Sequence, residues 1–190
     1  MAMIFNHNFP RKGYNKGELV KYVTFNSIRD HETMGDQRKN FVTVRKHGEE
    51  EFKKVIEACT GDKFTLRIFF ENNTDPSMGE KGAAKDTTIR FTSGVFFSFE
   101  DEWENVHGNG FMAYISSSNA EPHTVQDFCV VDMSDYARYE YIEGSGRITT
   151  KAGTKPFPDR ANLIGIEELD GIIPAGESGY VEYDFEVVRR

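Results

Sequence analysis

The chain has few residues of special chemistry: two cysteines, one tryptophan and six prolines among 190 residues. Cys59 and Cys129 stand far apart and lack metal-ligand spacing, which excludes a disulfide-dense scaffold and a clustered-cysteine metal site. They fit either one inter-sheet disulfide in an oxidising compartment or two separately buried thiols. Apolar runs are a handful of residues long, against the roughly 20 that a membrane-spanning helix needs, so no membrane insertion is expected. Basic charge is scarce, 23 Lys and Arg against 31 Asp and Glu for a net charge of -8. No basic stripe exists to neutralise phosphates or an anionic bilayer, so nucleic acid is not an expected partner. The opening stretch MAMIFNHNFPRKG is broken by Asn, His and Pro and carries no secretory apolar region. The expectation is a cytosolic chain, one exported by another route, or one whose leader is already removed.

Aromatics, in contrast, are plentiful: 16 Phe and eight Tyr, side chains that favour pleated, half-buried surfaces. They alternate most cleanly in Lys63–Asn73, where Phe64, Leu66, Ile68 and Phe70 fall on every second position. That period predicts a strand with one fully buried face. Gly61-Asp62 leads into it and Asn72-Asn73-Thr74-Asp75-Pro76 leads out, both turn chemistry. The last stretch, Gly179–Val188, predicts an antiparallel strand with Val181, Tyr183, Phe185 and Val187 inward and Glu182, Asp184 and Glu186 wet.

Further strands are expected over Glu18–Ile28, Phe41–Arg45, Asp86–Phe91, Val95–Phe99, Phe111–Ile115, Val125–Val131 and Ser134–Ile142. Glu49–Cys59 has helical spacing and reads as a short helix or a bent strand end. Asn109-Gly110 is a hairpin signal, and Thr74–Lys85 and Gly144–Pro158 read as loops. Strands at roughly ten-residue intervals with turn chemistry between them predict an all-β class, an immunoglobulin-like or jelly-roll antiparallel β-sandwich. Residues 1–17 form an N-terminal extension and 18–190 a single sandwich domain. Ile4, Phe5 and Phe9 make the extension a candidate arm that docks strand-to-edge on a neighbouring subunit, with Gly13 and Gly17 as its hinge.

Four stretches, NSIRDHETMGDQRKNFVTVR (Asn26–Arg45), KFTLRIFFENN (Lys63–Asn73), ISSSNAEP (Ile115–Pro122) and IGIEELDGIIP with SGYVEYDFEV (Ile164–Val187), occur in that order. Together they resemble a domain of poorly characterised, mostly exported bacterial surface proteins. Gln37 and Lys39 depart from its pattern, and Glu71 stands where that pattern has His before the paired Asn. The resemblance implies a sandwich used in surface architecture or adhesion, at the cell surface or outside it, with copies of itself or other surface proteins as partners. It brings no catalytic residues.

Chemistry-bearing clusters are sparse. Asp30, Glu32 and Asp36, with His31 beside a Gly-bent loop, offer carboxylate oxygens to Ca²⁺ but lack the ligand ladder of a calcium loop. Trp103, Tyr136 and Tyr139 are candidate stacking surfaces for a glycan. Glu100, Asp101, Glu102 and Glu104 read as a solvated hairpin rather than paired catalytic acids. Ser116–Ser118 with His107 or His123 lacks nucleophile-elbow glycines. The expectation is a non-enzymatic structural or adhesive domain, self-assembling through its arm into a filament or layer. The alternative is a carbohydrate- or Ca²⁺-binding module, with no cofactor but Ca²⁺ in view.

Overall fold

The alternation in Lys63–Asn73 is realised as the central strand of one sheet. A computed structural model describes residues 11–98, 107–133, 137–159 and 163–190, with backbone alone at 96–98 and 107. The strands are β1 (Val42–Lys46), β2 (Val55–Glu57), β3 (Lys63–Glu71), β4 (Thr88–Ser98), β5 (His107–Ser116), β6 (Thr124–Asp132), β7 (Ala137–Tyr141), β8 (Arg147–Thr150), β9 (Gly153–Pro156) and β10 (Ser178–Arg189). One sheet runs β1-β3-β10-β8-β9, with β7 pairing the C-terminal half of β10. The other runs β2-β6-β5-β4. All pairings are antiparallel except β2 with β6. The two sheets pack as a sandwich.

Phe64, Leu66, Ile68 and Phe70 are wholly buried, as are Phe111, Ala113, Cys129 and Val131 from the opposing sheet. The centre is aromatic. Phe111 lies 4.7 Å from both Phe185 and Tyr139 between ring centroids, and Phe64 stacks on Phe185 at 5.5 Å. Burial of this apolar area is the main driving force for closing the sheets.

Along one flank the chain itself joins the layers. Lys53 exchanges backbone hydrogen bonds with Val44 of β1, and one residue later Val130 of β6 donates to the Lys54 carbonyl. Asp127 points inward from β6 and accepts from the Val42 amide and from Lys54 Nζ, each at 2.8 Å. A carboxylate this deeply buried requires such partners.

Several expectations are corrected. Glu18–Ile28 is not a strand: it crosses the end of β3 and touches it through one bridge, Phe25 to Asn72. Asn26 sits at a φ of 45°, a left-handed conformation that Asn tolerates. Its carboxamide donates to the Phe69 carbonyl and accepts from the Glu71 amide, standing in for strand pairing. Asn72, also sealed from solvent, donates to the carbonyls of Gly82 and Ile173 and accepts from Thr74. Arg11–Gly17 is not a free hinge either, since Tyr14 is buried and pairs with Ile28. Of the two readings of Glu49–Cys59 the strand holds, as the short parallel strand β2, and the helix does not. Asp86–Phe91 and Val95–Phe99 merge into β4 through a bulge at Gly94, whose φ is 71°. Asn109-Gly110 lies inside β5 rather than in a turn. Gly144–Pro158 contains the hairpin β8–β9.

The polar end of β3 is expected to rival the apolar core in stability. Leu66→Ala should lower the unfolding free energy by about 2–5 kcal/mol. Asn72→Ala should lower it by about 1–3 kcal/mol for each buried carbonyl it orphans. Urea denaturation of both variants measures the comparison.

Candidate functional site

Where β3 ends, Glu71 to Pro76 meets the N-terminal segment and encloses an open cleft of about 380 Å³. Glu18, Glu32, Glu71 and Asp75 reach it, against Lys16 and His31, and Leu19 stands at its rim, 71% exposed. Glu71 Oε2 accepts from the buried Gln37 carboxamide and lies 3.8 Å from His31 Nε2. Its Oε1 has no partner among the described residues. Gln37 and Glu71, two of the positions that depart from the surface-domain pattern, are thus bonded to each other. The cleft has the size and mixed lining of a small-ligand pocket.

The carboxylates read as a Ca²⁺ site do not converge. Asp30 accepts from the Lys16 amide, and Glu32 pairs with Lys16 Nζ, which holds its carboxyl below the ordinary range. Asp36 caps the four-residue helix α1 (Gln37–Asn40) and takes both Nε and Nη2 of Arg38. Among the described residues no group of three His, Cys, Asp or Glu side chains is placed to hold a metal.

Cys59 is exposed and Cys129 wholly buried, and both are free thiols. The disulfide reading is corrected for a geometric reason: Cys129 points into the core from β6, while Cys59 follows β2 at the surface. Burial pushes the Cys129 thiol up to about 12. Tyr139 is no stacking platform, because its ring packs on Phe64, Phe111 and Phe185. Its hydroxyl donates to the Gly110 carbonyl and accepts from the Gly94 amide, and burial raises it to about 12. Trp103, Tyr136, the acidic run at 100–104 and the arm residues Ile4, Phe5 and Phe9 lie outside the described residues.

Two features were not evident in the residue pattern. The first is a charge ladder on the outer face of the β3 sheet. Arg67 is held between the rings of Phe52 and Tyr180, 3.6 and 4.2 Å from their centroids, and pairs with Glu182 at 2.6 Å. Arg147 bridges Glu182 and Asp184, and Asp184 also accepts from Thr65. Glu182, expected to be wet, is buried under these two arginines.

The second is an open strand edge. β4 pairs with β5 on one side only. Beyond the bridge from Thr88 to Leu163, its outer edge has no strand partner among the described residues. Phe91 is half-buried there, Leu163 is 41% exposed, and Thr92 and Ser93 are exposed. Among the described residues the other edge strands, the five-residue β7 included, are shorter or covered. Lys53 bridges β1, β2 has three residues, and the four residues of β9 include Lys155 and Pro156, which resist pairing.

The ladder sets an acid limit. Burial raises the carboxyls of Asp184 and Asp36, but hydrogen bonds from Arg147 and Thr65 to the first and from Arg38 to the second outweigh it and hold both low. A depressed carboxyl contributes stability above its unfolded value of about 3.9 and loses it as pH falls through the folded value. Stability is therefore expected to drop from about pH 4 downward. Arg147→Ala should flatten that drop, read by melting temperature against pH.

Among the described residues no helix is long and apolar enough to cross a membrane. Comparison with protein-family models, with curated proteins and with solved structures finds no match to this chain.

Proposed function

We propose that this chain is a non-enzymatic structural domain of a surface assembly, associating with copies of itself or with other surface proteins through strand addition. The observation that carries the reading is the outer edge of β4, which beyond Thr88 has no strand partner among the described residues. A long edge of free amides and carbonyls is a template for another strand. The resemblance to exported bacterial surface domains supports the extracellular setting, and the apolar arm carrying Ile4, Phe5 and Phe9 supplies a segment to donate.

Deleting residues 2–10 is expected to shift the protein to a smaller species in multi-angle light scattering, with an unchanged circular-dichroism spectrum. An unchanged mass after deletion would remove the arm, and with it this mode of assembly.

A second reading, a binding module for a glycan or Ca²⁺, is favoured by one feature, the cleft lined by Glu71 and Asp75, where Glu71 Oε1 has no partner among the described residues. Calorimetric titration with a glycan panel, with and without calcium, tests it. Heat that disappears in Glu71→Gln is the expected sign of binding there, and the absence of heat throughout ends it.

A further inference from the structure

We propose that the side chains of Lys54 and Asp127 become joined by an amide bond, a self-formed cross-link between the segment that crosses the sheets and β6. Both residues belong to one molecule, so the link forms however copies of the chain meet.

The two groups are already in contact and shielded from water. Lys54 Nζ stands 2.8 Å from both carboxylate oxygens of Asp127, with 17% of the lysine side chain and 2% of the aspartate exposed. Val42 of β1 holds both of them. Its amide donates to Asp127 Oδ2 at 2.8 Å, and its carbonyl accepts from Lys54 Nζ at 2.9 Å. Two residues on, the amide and carbonyl of Val44 are bonded to the backbone of Lys53 in the same sense. The side-chain pair thus takes the place that a further backbone partner of β1 would have. An amide formed between the two side chains keeps both contacts, its N–H and C=O facing Val42 together.

The step balances without a further reactant. One ammonium proton passes to Asp127 Oδ1, leaving an uncharged amine and an uncharged carboxyl, the forms that burial favours. The amine lone pair makes the Nζ–Cγ bond, and negative charge gathers on Oδ2. There the Val42 amide donates, and the nearby Arg11 guanidinium adds its positive field. Oδ1 then departs as water with a second proton from Nζ, and the last N–H stays on the Val42 carbonyl. Groups held in contact react as if at about 10⁵–10⁸ M, so an amide forms here that dissolved lysine and aspartate do not make. The product also removes two charges from a buried site. It closes a span of 73 positions that contains β2, β3, β4 and β5, which restricts the unfolded chain.

Mass spectrometry decides it. The full chain, purified natively, incubated at neutral pH and then denatured, is expected to weigh one water less than its sequence. A tryptic digest should contain one branched peptide that joins Lys54 to Asp127 and is uncut after Lys54. Lys54→Arg, which keeps the positive charge but offers no amine, and Asp127→Ala should each return the full sequence mass. If either variant fails to fold, the branched peptide of the unaltered chain decides alone. An unaltered chain that keeps its full sequence mass after folding and incubation overturns the proposal. So does a loss of water that maps to another position, such as a cyclic imide at Asp170-Gly171.

Discussion

Asn26 and Asn72 turn the end of β3 into the joint on which the remaining loops hang. A strand that stops inside a folded body leaves amides and carbonyls that water does not reach, and each needs a partner. Here two buried carboxamides bind the N-terminal segment, the turn before β4 and the approach to β10. The apolar face of β3 brings the sheets together. Its polar end determines which segments pass over them, and hence where the cleft forms.

The two flanks of the sandwich are finished differently. At one, residues 53–57 leave β1 for β6, and the Lys54–Asp127 pair seals the crossing. At the other, among the described residues, Leu163 bridges β4 at its first residue, Thr88. The bulge at Gly94, fastened by the Tyr139 hydroxyl, bends that strand and limits how far a flat partner could extend along it. Tyr139 thus shapes the edge from inside the core.

Electrostatics divides along the same lines. The outer face of the β3 sheet is committed to internal pairs, with Arg67 and Arg147 both turned to Glu182. At the cleft Glu32 pairs with Lys16 and Glu71 lies beside His31, while β4 carries one charged side chain, Arg90.

The residues alone specified the layers. Alternation in β3 and β10 reports which side chains leave water, and Phe64 to Phe70 and Val181 to Val187 are buried as the period requires. Alternation does not report what the backbone pairs with, which is why Glu18–Ile28 reads as a strand yet is held by scattered backbone bonds to several segments and by the Asn26 carboxamide. The hairpin β8–β9 is illegible for the converse reason: its Thr, Arg and Lys residues carry no apolar period, and it forms on the edge of β10 opposite β3, where β8 pairs with Gly179–Glu182. Asn109-Gly110 has turn chemistry, but strands on both sides outweigh a two-residue preference. The cleft, the ladder and the open edge are meetings of residues up to more than a hundred positions apart. Only the closed sandwich brings such residues within hydrogen-bonding distance, so only the tertiary structure could decide them.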